Sequence, residues 1–175
     1  MDGIASERIS SAFALFSKAD SFGLKVLSEE LSVDALIHDD RLLAEISVAF
    51  YALGKLLEKR HVTQSKGFIP FRNKMLILLK KASLAEGHDT VHEIIGETEA
   101  LNRSFGRMVM GVIEKGRLKA AANIYGHGAS LGKAVELTGA NKTEASAYIG
   151  MTRMPDKYQT LALKQRLSDA RRMTE

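Results

Sequence analysis

The 175-residue chain contains no cysteine, no tryptophan and only two prolines. Without cysteine, neither a disulfide framework nor a thiolate metal site can form. The longest purely aliphatic run, residues 75–79, is far shorter than the ~20 apolar residues that cross a bilayer. Residues 1–3 also lack the basic-then-apolar order of a signal peptide. These absences predict a cytoplasmic protein without membrane partners, and a hydrophobic content of 45% is enough for a globular core.

The positive charge is unevenly distributed along the chain. The whole sequence carries 25 basic and 21 acidic residues, a net charge of +4. Residues 103–175 hold 13 of the basic and 6 of the acidic side chains, so residues 1–102 have an acidic excess. A basic segment joined to an acidic one is expected when one end of a protein meets a polyanion. The alternative is that these basic residues form a solvated helix face.

Apolar residues recur at helical spacing along most of the chain. The clearest series follows Asp39 and Asp40 and comprises Leu42, Leu43, Ile46, Phe50, Leu53, Leu56 and Leu57. Acidic residues before a helix and basic residues after it, here Lys59 and Arg60, suit the helix dipole. No segment shows sustained two-residue alternation bounded by turn signals. We therefore predict an all-α fold.

The composition changes near residue 115, where alanine, glycine and positive charge become more frequent. This change predicts two parts. Residues 1–115 would form a helical domain for dimerisation or partner binding. Residues 116–175 would form a small helix-turn-helix module followed by a basic C-terminal helix.

The predicted module rests on two short helices with a glycine-containing turn between them. An Ala-rich helix over 117–125 precedes a helix over 131–138, which Ser130 can cap. A tight turn at 139–141 leads to a third helix over 142–149, which we expect to end at Gly150. Small residues at Ala134 and Ala145 would allow the two helices to cross closely. A purely structural helical hairpin and a protein-docking surface would produce the same pattern.

In a helix-turn-helix, the start of the last helix enters the major groove. Asn141, Lys142, Thr143 and Ser146 would then point toward bases or phosphates. Flanking phosphate contacts would come from Lys133, Arg153 and Lys157.

The same region resembles a known family. The matching stretches read LKAAANIY at 118–125, ASLGKAVELTG at 129–139 and YIG at 148–150. They are similar to small prokaryotic, archaeal-type antitoxin-like helix-turn-helix proteins (VapB-like), which are often associated with PIN-domain ribonucleases. The resemblance covers about residues 117–156. It implies a helix-turn-helix regulator with a PIN-type ribonuclease as a protein partner.

Signals of catalysis are weak. His88 and His92 are four residues apart, with Glu93 and Glu97 nearby, and such a spacing can bind zinc when a third ligand joins. The His-Glu-x-x-His order of metalloproteases is absent, and no Gly-x-Ser-x-Gly elbow occurs. An exposed polar helix face explains the histidines equally well. We therefore predict a protein that is not an enzyme and that needs neither a metal nor a cofactor.

Together these patterns predict a DNA-binding regulatory protein. One small module buries too little surface for tight specific binding, so we expect a homodimer that reads two half-sites. The alternative function is a non-catalytic helical adaptor that docks or neutralises a partner protein. An enzyme whose site combines His88, His92 and acidic neighbours is a further rival.

Overall fold

The computed structural model describes residues 3–84, 87–105 and 111–152. These residues form nine α-helices and no strand, which confirms the predicted all-α class. The helices are α1 (Gly3–Ser17), α2 (Ser21–His38), α3 (Arg41–Leu57), α4 (Arg60–Thr63), α5 (Phe68–Leu84), α6 (Gly87–Ser104), α7 (Val112–Gly126), α8 (Leu131–Thr138) and α9 (Lys142–Thr152). None of these helices is both long and apolar enough to cross a bilayer.

Helix α3 lies at the centre of the fold. It begins after Asp40, whose carboxylate accepts hydrogen bonds from the backbone N–H groups of Leu42 (2.7 Å) and Leu43 (3.4 Å). Twelve of its 17 residues are buried, because it is apolar on nearly every side and other helices surround it. Helices α2, α6, α7 and α8 all pack against it.

Two glycines lie where a neighbouring helix approaches α3 closely. A Cβ atom at Gly54 would lie 3.0 Å from the carbonyl oxygen of Ser21 in α2. A Cβ atom at Gly116 in α7 would lie 3.0 Å from the carbonyl oxygen of Val48. Both glycines therefore allow backbone contacts that a larger residue would prevent.

The buried side chains on both sides of residue 115 form one hydrophobic cluster, from Ala5 in α1 to Ala145 in α9. Helix α7 itself spans the predicted boundary and packs on α2 and α3. Asn123 of α7 donates a hydrogen bond to the carbonyl oxygen of Glu29 in α2 (2.9 Å). The division into residues 1–115 and 116–175 stays a prediction, and no separate C-terminal module is delimited by this packing.

Candidate nucleic-acid interface

Helices α8 and α9 are joined by the short turn that the sequence predicts. The Ser130 side chain accepts a hydrogen bond from the backbone N–H of Lys133 (3.1 Å) and caps α8. Gly139 ends the helix at φ +65°, and its N–H donates to the carbonyl oxygen of Val135 (2.9 Å). Since a side chain is strained in this left-handed conformation, glycine is the residue that suits the turn.

The inner side of this hairpin is buried, and the hydroxyl of its buried threonine is hydrogen-bonded. Ala134 and Ala145, the two small residues expected to allow close crossing, are fully buried. The buried Thr138 hydroxyl donates to the carbonyl oxygen of Ala134 (2.8 Å) and accepts from the N–H of Ala140 (3.4 Å). The buried threonine is therefore accommodated, because its hydroxyl both donates and accepts a hydrogen bond. Helices α7, α8 and α9 all pack against one another.

The first turns of α9 face solvent. The Asn141 side-chain oxygen accepts hydrogen bonds from the N–H groups of Thr143 (3.0 Å) and Glu144 (3.2 Å), so Asn141 is the N-cap residue. Asn141, Lys142, Thr143 and Ser146 are all exposed. Four of the predicted DNA contacts therefore lie together at the positive end of a helix dipole.

Helix α9 is longer than expected. It continues through Gly150 to Thr152, so the predicted end at Gly150 is wrong. A glycine inside a helix costs only about 1 kcal/mol, which does not force a helix to stop. The extension carries Met151 into solvent, where 77% of its surface is exposed.

Lys133, predicted as a phosphate contact, is bound to acidic side chains. Its ammonium group forms ion pairs with Asp39 at the end of α2 and with Glu136 one turn along α8 (3.7 Å). The hydrogen bond to Asp39 raises the pKa of Lys133 above its usual value. The two other predicted phosphate contacts, Arg153 and Lys157, lie outside the described residues.

Near the hairpin, the charge is less positive than the whole basic segment suggests. Residues 111–152 contain five basic and three acidic side chains. Arg117, which is not among the predicted DNA contacts, lies beside the turn. Its Nε is 4.0 Å from the place where a Cβ of residue 139 would stand, and Glu114 pairs with it at 2.9 Å. No sequence motif links position 117 to the turn, because only the folded packing of α7 on α8 brings them together.

The side chains next to His92 have other partners. Lys74 of α5 forms ion pairs with Glu97 (2.7 Å) and Glu93 (4.0 Å), and the His92 Nε2 lies 3.7 Å from the Glu45 carboxylate. The side chain of His88 lies outside the described part of the chain. Among the side chains that are described, no group of three histidine or acidic residues is arranged to hold a metal ion.

Comparisons of this chain with models of protein families, with curated proteins and with solved structures gave no match. The resemblance of residues 117–156 to VapB-like antitoxins therefore stays a prediction. The geometry of this region combines a helical hairpin with an exposed, capped helix start.

Proposed function

We propose that this chain is a DNA-binding regulatory protein in which α8 and α9 act as a helix-turn-helix. The observation that carries the proposal is the solvent-facing start of α9 directly after the turn at Gly139. In this arrangement α8 supports α9, and the first turns of α9 enter the major groove.

Each exposed group at this end has a distinct role in the proposal. Lys142 contacts a phosphate or a base edge, and the hydroxyl groups of Thr143 and Ser146 donate or accept hydrogen bonds. The Asn141 side-chain oxygen is used in capping, so its amide NH₂ is the group that faces DNA. The helix dipole at this end of α9 adds a general attraction for phosphate, while the N–H groups of Thr143 and Glu144 stay bonded to the Asn141 cap.

In this proposal the protein is a cytoplasmic homodimer that catalyses no reaction. A single α9 presents few long polar side chains, so two copies on a two-fold axis are needed to read a site with useful affinity. The family resemblance adds a PIN-type ribonuclease as a partner, which would be the toxin that the regulator neutralises.

The test measures binding to labelled duplex DNA by fluorescence anisotropy at several salt concentrations. A pool of random duplexes, enriched by selection on the protein, supplies the probe. We expect affinity to fall steeply with salt and Lys142→Ala to reduce the logarithmic salt slope by about 1. Lys81→Ala removes an exposed lysine on α5, away from the hairpin, and should leave the slope unchanged.

A salt-independent signal, or equal effects of the two lysine substitutions, would contradict the proposal. Failure to enrich any duplex would contradict sequence-specific regulation.

A protein-binding adaptor is the second candidate, and the outer face of α9 favours it. Thr143, Ser146, Ala147 and Gly150 are small and exposed, and Met151 next to them is apolar and exposed. Such a face can approach another helix closely. For this candidate, co-expression with a PIN-type ribonuclease from the same genome should give a complex on size exclusion that Met151→Ser weakens and Lys142→Ala does not.

A further inference from the structure

A cleft of about 340 Å³ lies beside α9, between α2, α3 and α7. Its size falls within the range of about 300–1,000 Å³ that is usual for small-molecule sites. Lysines from three helices, Lys25, Lys55 and Lys119, line it together with two tyrosines, Tyr51 and Tyr148. We infer that this cleft binds a small organic anion with an aromatic body. The inference goes beyond DNA binding and does not depend on it.

The charges around the cleft leave a positive surplus. Lys25 and Lys55 share one carboxylate, that of Glu58, with the Lys55 ammonium at 2.8 Å. Lys119 pairs with Glu29 at 3.1 Å. Three ammonium groups thus face two carboxylates, and a single negative charge on a ligand would balance the set.

Two further lysines, Lys59 and Lys115, lie near Lys55 without lining the cleft. Burial, together with repulsion from Lys115 and Lys55, lowers the pKa of Lys59 below its usual value. These residues are therefore close enough to feel one another's charge, so the end of α3 and the start of α7 carry a cluster of ammonium groups. An anion entering the cleft is attracted by the whole cluster.

The cleft also has an apolar and aromatic wall. Phe22 is 72% exposed at its edge, and Val26 one turn further along α2 is 38% exposed. The ring of Tyr51 forms a largely buried wall, with the Lys55 ammonium 5.9 Å from its centroid. A phenol with its ordinary pKa of 10.0 is neutral near pH 7, and burial of the ring raises the pKa of Tyr51 further, so this side chain does not repel an anion. A flat hydrocarbon body would cover Phe22 and Val26, whose exposure otherwise costs free energy.

Phosphates of a DNA backbone are the competing occupant. They would be attracted by the same lysines but would leave Phe22 and Val26 in water. The combination of converging ammonium groups with an uncovered aromatic wall favours a small amphipathic anion over a sugar-phosphate chain.

The experiment uses the full chain and two probes of nearly equal shape, 2-naphthoate and its neutral amide, 2-naphthamide. Binding is measured by isothermal titration calorimetry and by saturation-transfer NMR, without DNA. We expect saturable binding of naphthoate and about tenfold weaker binding of naphthamide, since one charge-assisted interaction is lost.

Substitutions in the cleft locate the site. Lys119→Met should weaken naphthoate binding about tenfold, through the lost charge. Phe22→Ser should weaken both probes about fivefold, through lost apolar contact. Phe22 is mostly exposed, so its replacement leaves the core intact, and circular dichroism confirms folding of each variant. The matched controls on α5 are Lys81→Met and Ile77→Ser, which should not change binding.

Equal affinities for naphthoate and naphthamide would overturn the inference, as would unchanged binding in both cleft variants or the absence of saturable binding. So would cleft substitutions that weaken DNA binding alone. Lys142→Ala separates the two proposals, because it should reduce DNA binding and leave naphthoate binding intact.

Discussion

At the scale of single residues, backbone conformation limits which amino acids the hairpin accepts. Gly139 has a φ of +65°, a conformation that costs a residue with a side chain roughly 1–2 kcal/mol. Gly132, seven residues earlier, lies in α8 with ordinary helical geometry, and the nearest side-chain atom to its would-be Cβ is 3.8 Å away. Backbone conformation therefore requires glycine at position 139, whereas position 132 has both the conformation and the space for a side chain.

Alanine substitutions at these two glycines should have opposite effects. Gly139→Ala should lower the free energy of unfolding by about 1 kcal/mol, because it places a Cβ in the left-handed region. Gly132→Ala should raise it by about 0.5–1 kcal/mol, because alanine loses less backbone entropy in a helix. Urea denaturation followed by circular dichroism measures both. Equal destabilisation by the two substitutions would show that crowding rather than φ decides the outcome.

Glu58 should make stability depend on pH in the acid range. Hydrogen bonds from Lys25 and Lys55 lower the pKa of its carboxyl below the usual 4.5. The folded state therefore binds fewer protons than the unfolded state, so the stabilisation is complete above pH ~4.5 and is lost as pH falls through the folded pKa. Glu58→Gln should remove this component, about 0.5–1 kcal/mol for a partly exposed pair.

Urea denaturation between about pH 3 and pH 7 tests this dependence. Glu7→Gln is the charge-matched control, since Glu7 is exposed and has no ammonium partner among the described residues. If Glu58→Gln keeps the full acid dependence of the natural chain, the two lysines do not stabilise the carboxylate.

At the scale of helices, side chains cap the N-termini of α3, α8 and α9. Asp40, Ser130 and Asn141 each accept backbone hydrogen bonds at the start of a helix. Capping acts over two or three residues, so it is visible in the sequence. Asn141, which caps α9, is also one of the residues of the proposed DNA interface.

Two substitutions at Asn141 separate its structural role from its proposed DNA contact. Asn141→Ala removes the cap and should lower the free energy of unfolding by about 1 kcal/mol. Asn141→Asp keeps an oxygen acceptor and places a negative charge at the positive end of the helix dipole, so stability should be retained or rise by about 0.5 kcal/mol. In anisotropy measurements the aspartate should nevertheless weaken DNA binding, because it repels phosphate. A fully stable aspartate variant with unchanged DNA affinity would exclude this end of α9 from the interface.

Local patterns predicted the all-α class, the Ser130 cap and the turn at Gly139, because each depends on residues close together in sequence. The ion pair of Lys133 with Asp39 was not predictable, since its two residues are 94 positions apart and no sequence pattern links them. The lysine-lined cleft escaped prediction for the same reason: Lys25, Lys55 and Lys119 come from three different helices. Such sites are created by tertiary packing, which cannot be read from the spacing of residues in the sequence.

At the scale of the whole molecule, α7 joins the hairpin to the remaining helices. It packs on α2 and α3 and also on α8 and α9. Gly116 gives it a close approach to the backbone of α3. Stability of the hairpin is therefore tied to that of the central helix.

The chain should unfold in a single cooperative transition, because buried residues on both sides of residue 115 form one cluster. Gly116→Val would force a side chain against the Val48 carbonyl oxygen and should lower the stability of both parts together by about 1–3 kcal/mol. Native-state hydrogen exchange tests this prediction: the backbone amides of α3 and α8 should lose protection against exchange to the same extent. Two separate transitions would instead support independent domains on either side of residue 115.

The position of Lys133 between Asp39 and Glu136 opposes its use as a docking contact. A phosphate that recruits this ammonium must first withdraw it from two carboxylates. Once uncovered, those carboxylates face the incoming phosphate with the same sign of charge. In the proposed DNA complex, a phosphate attached at this point would therefore be held weakly and released easily.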